Sequence, residues 1–424
     1  MRVHPSLPAL SLCAATLVGG CPDERVAPIE IDRDPIGEGE GEGEGEGEGE
    51  GEGEGEGEAA CSDADLATVS VAQKKLLLIT FPFATDTGVD GTTVGAFDVD
   101  DGVVTAAGAR VDVGFRPARV AFVPSGSLAL VLGEDGELAS VALAGRDSLT
   151  VLDTVVLPSA GYGDLTITGS VEAGGLVVYA TGANVTEEAG IARVRVGCDG
   201  VIDVDTAAFF GLRLTESLAL LPDNRALLFG GQVTGFEPRD DDDVRVLQLG
   251  PGRPVEVAGF DVFTDFINAT RIAASADGRF AVLPNASTFS DEAGDIVVVD
   301  IVGNVVTERG RLPGLVTASE AVIAPDNTVA AVSQWEDDSV RIVDVRGPGA
   351  PTLVTTVTGV GLAEQMALMA TGLHAGRVFV PEVRASGGSF ITAIDLGNGT
   401  GLKGASFALG DRSEDIPVGV AIQP

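Results

Sequence analysis

Carboxylates are the commonest side chains in this sequence that could carry chemistry, and they concentrate in a few predicted loops. The densest group is a run of four aspartates preceded by one glutamate, namely Glu237, Asp240, Asp241, Asp242 and Asp243. Adjacent carboxylates repel one another unless a cation or solvent compensates their charge, and oxygen ligands of this kind suit Ca²⁺. Two interpretations stay open: a weak calcium or partner-binding loop, or an acidic turn that solubilises the protein.

A second loop places the only tryptophan beside three acids, in the order Trp335, Glu336, Asp337 and Asp338. An indole ring among carboxylates can stack on a sugar or bind a cation. It can equally pack against a neighbouring strand. The loop is therefore a candidate site for a protein or glycan partner, with packing as the alternative.

No catalytic motif is evident in the sequence. The chain has two histidines, His4 and His374, and His374 lies in a predicted turn, where a histidine is usually solvated. No Ser-His-Asp set can be assembled around it, and no nucleophile elbow, zinc motif or phosphate loop occurs. We assign no catalytic residue, and the sequence favours a binding module over an enzyme.

The first twenty residues have the features of an export signal. Arg2 provides a positive start, and an apolar stretch from Leu7 to Val18 follows that is too short to span a bilayer. The stretch ends in Val-Gly-Gly-Cys, which resembles a bacterial lipobox. That resemblance implies cleavage after residue 20, lipidation (including palmitate) of Cys21, and a location on the outer membrane or cell surface. The alternative is an ordinary signal peptide that happens to contain Cys21.

The remaining cysteines follow from this assignment. Cys13 leaves with the signal peptide, so Cys61 and Cys198 remain in a compartment that permits disulfides. We expect these two cysteines to pair. Their spacing does not suit a zinc site, so no cofactor is predicted beyond weak calcium binding.

A run of alternating Gly and Glu, from Gly37 to Glu58, separates the leader from the body. Glycine lowers backbone stiffness, and glutamate at every second position repels its neighbours. We therefore expect residues 21–60 to form a disordered linker and residues 61–424 to form one domain. The formal net charge of −38 excludes a nucleic-acid partner, because phosphate binding needs Lys and Arg.

The body is built from a repeat of about fifty residues. Each copy contains a short apolar strand that ends in a turn, and the turns begin at Pro124, Glu172, Pro222, Ala276, Pro325, Ala370 and Pro424. A second and a third apolar run follow most copies, and a fourth, looser segment closes each unit. Four strands in every fifty residues indicate the blade of a β-propeller.

The two ends of the body are displaced by one strand. The body begins at a second strand, Leu76–Thr80, and the chain ends just after a first strand. The C-terminal strand should therefore complete the first blade and remove its exposed edge. Small residues also recur three positions before most turns, as expected where inner strands crowd a central channel. The prediction is an all-β protein: a seven-bladed β-propeller of four-stranded blades, monomeric.

The segments Thr328–Val357 and Gly294–Val306 resemble bacterial surface propellers of the YVTN and LVIVD repeat type. The resemblance implies the fold and an envelope location, and it implies no activity. Because the long acidic loops join second to third strands on one face, we expect binding or scaffolding through that face. The alternative is a lactonase-like hydrolase or a calcium-dependent enzyme that uses carboxylates in the channel.

Overall fold

The structure, a computed structural model, describes most of the body but not the N-terminal segment. The described residues are 62–69, 75–84, 89–158, 163–172, 174–182, 190–212, 215–230, 243–263, 271–286, 294–315, 317–334, 337–361, 365–384, 388–410 and 416–424. The predicted signal peptide, lipidation site and linker therefore lie outside the described residues. No helix within the described residues is long and apolar enough to cross a bilayer.

Blade 2 shows how the sequence forms these sheets. Its strands are β4 (Pro117–Phe122), β5 (Leu128–Gly133), β6 (Glu137–Leu143) and β7 (Leu149–Val156). Every residue of β5 is buried, because neighbouring blades cover both of its faces, and its sequence is accordingly apolar throughout. In β7 partly buried and exposed residues alternate, as expected for an outer strand with one face on the core.

The other blades repeat this antiparallel order. Blade 1 contains β1 (Lys75–Ala84), β2 (Val89–Asp100) and β3 (Val103–Asp112). Blade 3 contains β8 (Leu165–Glu172), β9 (Gly175–Gly182), β10 (Gly190–Val196), β11 (Ile202–Val204) and β12 (Phe210–Gly211). Blade 4 contains β13 (Thr215–Leu221), β14 (Arg225–Gly230), β15 (Val244–Gln248) and β16 (Val255–Phe260). In blade 3 the outermost position is divided, because β11 and β12 both pair with β10.

Blades 5 to 7 each have four strands. Blade 5 contains β17 (Ala273–Ala274), β18 (Phe280–Asn285), β19 (Gly294–Val302) and β20 (Val305–Leu315). Blade 6 contains β21 (Ala318–Ile323), β22 (Val329–Gln334), β23 (Ser339–Asp344) and β24 (Thr352–Thr358). Blade 7 contains β25 (Ala367–Leu368), β26 (Arg377–Val383), β27 (Ser389–Asp395) and β28 (Leu402–Gly410). The predicted seven-bladed propeller is confirmed.

The ring closes as the displaced ends predict. The last strand, β29 (Val420–Ile422), pairs with β1 and becomes the inner strand of blade 1. The register places Leu77 opposite Ile422 and Ile79 opposite Val420. The core lies between adjacent blades; for example, Leu78 of blade 1 packs in one cluster with Val131 of blade 2. Closure therefore gives blade 1 its fourth strand and covers the edge of β1 that would otherwise be exposed.

The propeller has two unlike ends. The first strands begin at the end where second strands connect to third strands, which we call the long-loop end. They finish at the tight turns between first and second strands, which we call the short-turn end. Because strands of a blade are antiparallel, these two assignments hold for every blade.

The segment that precedes blade 1 packs at the short-turn end. It forms one helical turn, α1 (Asp63–Leu66), whose Leu66 is only 1% exposed and joins the core between blades 2 and 3. The carbonyl of Leu66 accepts a hydrogen bond from Ser125 N–H (3.0 Å), and Asp63 accepts one from Cys198 N–H (3.0 Å). Cys198 is disulfide-bonded. Because Cys61 is outside the described residues, its pairing with Cys198 stays a prediction.

Candidate active site

Polar residues recur at one position of the inner strands. This position lies five residues before the turn that ends each inner strand. Its occupants, in chain order, are Arg119, Ile167, Ser217, Arg271, Glu320, Gln365 and Gly419. Arg119 and Glu320 are the third residues of β4 and β21, and Arg271 comes just before β17. The position is thus close to the start of each inner strand, at the long-loop end of the central channel.

Two further carboxylates join this level of the channel. Asp164 immediately precedes β8, and Glu216 is the second residue of β13. The pairing of β13 with β14 shifts register between Thr215 and Ser217, so Glu216 lies in a bulge one residue before the repeat position. We call these residues together the channel ring: Arg119, Asp164, Glu216, Arg271, Glu320 and Gln365.

Arg119 lies at the centre of this arrangement. Its side chain is buried, with the residue 1% exposed. Its one hydrogen bond within the described part of the chain is a weak 3.4 Å contact from Nη1 to the carbonyl oxygen of Ala118, and its Nε has no partner there. The positive charge of Arg119 nevertheless lowers the pKa of Asp164, Glu216 and Glu320. The charge of Arg119 thus acts on carboxyls of three other blades, 3, 4 and 6, at the long-loop end of the channel.

Asp164 is the most firmly held of the three carboxyl groups. It accepts hydrogen bonds from Ser217 Oγ (3.0 Å) and from the N–H of Leu165 (2.9 Å). Burial raises its pKa, while Arg119 and these two hydrogen bonds act in the opposite direction. Ser217 Oγ in turn accepts the N–H of Ile272 at 3.2 Å, so one hydroxyl links blades 3, 4 and 5.

Glu216 and Glu320 have strongly shifted acidities. Burial raises the pKa of each to about 8, with Arg119 partly offsetting the shift. The negative charge of Asp164 raises the pKa of Glu320 further, whereas the N–H of Met366 donates to its carboxylate. Both residues are only partly exposed, as expected for side chains enclosed by a narrow channel.

The side of the channel between blades 7, 1 and 2 is closely packed. Gln365 donates from Nε2 to the carbonyl oxygen of Val120 (3.2 Å) and accepts the N–H of Val420 at Oε1 (3.2 Å). At Gly419 an added Cβ would lie 2.7 Å from Thr80 Oγ1 and 2.9 Å from the carbonyl oxygen of Ala118. Only glycine fits there, and Gln365 fixes the three blades around it.

This geometry can perform acid–base chemistry. A carboxyl with a pKa near 8 is poised to exchange a proton at neutral to mildly alkaline pH. Glu216 and Glu320 can supply one ionised and one protonated carboxyl, and the buried guanidinium of Arg119 can stabilise negative charge that develops on a substrate oxygen.

The sequence-predicted site residues fall elsewhere. Asp243 is buried beside β15, where its two oxygens accept the N–H groups of Val262 (2.8 Å) and Phe263 (2.7 Å). Burial raises its pKa, and these hydrogen bonds oppose the shift. Asp337 and Asp338 are exposed in the turn before β23, where Asp337 accepts a long hydrogen bond from Ser339 Oγ (3.4 Å).

The other predicted loop residues, Glu237, Asp240, Asp241, Asp242, Trp335 and Glu336, lie outside the described residues. Within the ranges that the structure describes, no group of three His, Cys, Asp or Glu side chains could hold a metal ion. Cation or partner binding by these loops therefore stays a prediction. Sequence reasoning missed the channel ring, although the five-residue offset that Arg119, Arg271, Glu320 and Gln365 share is visible in the repeat.

Fold and site together define a seven-bladed β-propeller with a charged channel. No family model matches the chain, and no curated protein matches it either. Among solved structures it is similar to a periplasmic gluconolactonase of Pseudomonas aeruginosa, with a TM-score of 0.63, 17% identity, and coverage of 83% of this chain and 99% of the other. It is similar to a proposed 6-phosphogluconolactonase of Bacteroides uniformis, with a TM-score of 0.63, 13% identity and coverage of 83% and 100%.

A third similar structure is a hypothetical selenium-binding protein of Sulfolobus tokodaii, with a TM-score of 0.57, 12% identity and coverage of 83% and 98%. At such identities these likenesses show the fold alone. The resemblance to YVTN and LVIVD repeats also stays a prediction.

Proposed function

We propose that this protein is a lactonase-type hydrolase that opens a cyclic ester with the carboxyl groups of its channel ring. The observation that carries the proposal is the convergence of Arg119 with three carboxyls from different blades, two of which have pKa values raised to about 8. Perturbed carboxyls in a channel are typical of acid–base sites. The similar gluconolactonase propeller supports the same class of reaction.

The reaction needs one base, one acid and an oxyanion donor. In this scheme the ionised carboxylate of either Glu216 or Glu320 accepts a proton from water as the water oxygen attacks the lactone carbonyl. Arg119 stabilises the oxyanion of the tetrahedral intermediate. The protonated partner then gives its proton to the ring oxygen as the ester C–O bond breaks, which yields a hydroxy acid.

Asp164 and Gln365 have supporting roles in this proposal. The hydrogen bonds of Asp164 to Ser217 and Leu165 keep its carboxylate in place, and its charge helps to keep Glu320 protonated. Gln365 uses both ends of its amide to hold blades 7, 1 and 2 together. Such supporting contacts fix the geometry that the reacting groups need.

The envelope location belongs to the same proposal. The apolar leader, the lipobox-like Cys21 and the acidic linker favour an exported, lipid-anchored protein, and the periplasmic location in the name of one similar structure is compatible with it. The acidic-loop binding hypothesis rests mainly on residues outside the described ranges, so the enzyme alternative is better supported.

The direct test is lactone hydrolysis by the purified full chain, followed by acid release in a pH-stat with δ-gluconolactone. We expect turnover above the spontaneous rate and a fall of about a hundredfold or more in kcat for Glu216→Gln. Glu308→Gln is the matched control, because Glu308 lies on the outer strand β20 and pairs with Arg311. No turnover by the wild-type chain with several aldonolactones would refute the proposal.

A further inference from the structure

We propose that the channel ring also binds the carboxylate of a sugar acid at Arg119, so that the ring-opened product inhibits the enzyme. The identity of this ligand rests on the proposed function, whereas the anion site itself rests on the structure. Arg119 is buried, and its Nε finds no hydrogen-bond partner among the described residues. A buried charge without a partner is costly, and a bound anion would offset that cost.

The guanidinium geometry favours a carboxylate as the anion. Arginine presents parallel N–H donors that match two carboxylate oxygens, and such bidentate pairs are stronger than neutral hydrogen bonds. Within the described chain, the Arg119 side chain donates only from Nη1, over 3.4 Å, to Ala118. Its other donors are therefore available to a ligand in the channel.

The groups around Arg119 decide when an anion can enter. Asp164 lies before β8, Glu216 on β13, Arg271 before β17 and Glu320 on β21, while blades 7 and 1 present the uncharged Gln365 and Gly419. Burial raises the pKa of Asp164, while Arg119 and two accepted hydrogen bonds act in the opposite direction. Glu216 and Glu320, with pKa values of about 8, are mostly protonated at pH 7 and can then donate to an anion.

The expected pH dependence follows from those two carboxyls. Above pH 8 both ionise and repel a bound carboxylate, so the affinity for a sugar acid should fall as the pH rises. If one of them must be protonated, the affinity falls about tenfold between pH 7 and pH 9; if both must be, it falls about a hundredfold. A neutral polyol of the same length should show no such change.

The test is calorimetric titration of the full chain with gluconate at pH 7 and pH 9, with sorbitol as the neutral probe. We expect gluconate to bind at pH 7 at least tenfold more tightly than at pH 9. Arg119→Met should abolish this binding and Arg119→Lys should retain part of it. Arg279→Met is the matched control, because the Arg279 side chain is exposed at the short-turn end. Thermal melting checks that each variant is folded.

The outcomes separate this inference from the proposed function. Gluconate binding that is independent of pH, that survives Arg119→Met, or that is absent in a folded and active enzyme would overturn the anion site. Binding with the expected pH dependence but without lactone turnover would support the anion site and refute the lactonase.

Discussion

Two arginines of this propeller are equally buried and differ completely in their partners. Arg193, on β10, has a fully buried side chain that forms ion pairs with Glu172 and with Asp205, the latter at 3.1 Å. Arg119, on β4, is 1% exposed, and the described chain offers it no carboxylate within ion-pair distance. Nε lacks a partner in both residues, so the difference lies in the terminal nitrogens.

The two charges have different roles. The ion pairs of Arg193 with Glu172 and Asp205 lie within blade 3 and occupy its terminal nitrogens, so they contribute to folding. Arg119 instead faces carboxyls of three blades at a distance, and burial keeps two of them largely protonated at neutral pH. An incomplete charge arrangement of this kind costs stability and is typical of functional sites.

Replacing each arginine by methionine should affect stability very differently. Arg193→Met leaves two carboxylates without their cation and should reduce the free energy of unfolding by about 3 kcal/mol, moderated because Glu172 and Asp205 keep partial solvent access. Arg119→Met removes a buried cation that has no ion pair within the described chain, so the protein should keep its stability or gain up to about 2 kcal/mol. Urea unfolding at pH 7 measures both changes. Equal losses for the two variants would show that Arg119 is structural.

A smaller effect is expected from Glu216. The pKa of its carboxyl is 4.5 in the unfolded reference and about 8 in the folded chain. Between these pH values the folded state binds more protons, so this carboxyl makes the protein less stable as the pH rises through that window. Glutamine mimics the protonated form. Glu216→Gln should therefore nearly match the wild-type protein at pH 5 and be more stable at pH 9, by about 2 kcal/mol, less than the full pKa difference implies because Glu216 is partly exposed.

Urea unfolding of both proteins at the two pH values measures this difference, with Glu308→Gln as the control. The pKa of Glu308 is lowered by its hydrogen bond to Arg311, so its replacement should bring no gain at pH 9. A Glu216→Gln variant that is less stable than wild type at pH 9 would show that the channel carboxyl is not destabilised by burial.

The fold could be predicted because the sequence repeats the same strand-and-turn pattern in every blade. Seven copies of one strand-and-turn pattern fix the blade number, and the missing partner of Leu76–Thr80 at the N-terminus requires the C-terminal strand to close the ring. Each copy supports the others, so a degenerate blade does not obscure the period. The observed pairing of β29 with β1 follows directly.

The site was harder to predict because its residues are single exceptions within that repeat. Arg119, Arg271, Glu320 and Gln365 share one repeat position, so an alignment of the copies could have found them. Glu216 lies in a bulge of β13 one residue before that position, and Asp164 precedes its strand, so neither shares the repeat position of the other four. Runs of charge predicted a binding site in the acidic loops, yet the carboxylate oxygens of Asp243 accept hydrogen bonds from backbone N–H groups.

The two ends of the propeller also differ in role. The described chain begins at the short-turn end, where α1 and the disulfide-bonded Cys198 lie. The channel ring lies at the opposite, long-loop end. Residue 62, where the described part of the domain begins, therefore lies at the opposite end of the propeller from the channel ring.

If channel carboxyls of raised pKa open a lactone beside Arg119, the reaction rate must depend on pH. The most direct measurement is the pH dependence of kcat/KM for δ-gluconolactone hydrolysis by the full chain between pH 6 and 9, corrected for spontaneous opening. Because one carboxyl must be ionised and the other protonated, we expect a bell-shaped profile with its maximum near pH 8, and Glu216→Gln or Glu320→Gln should remove this maximum. A profile that is flat, or that both variants leave unchanged, would contradict this mechanism.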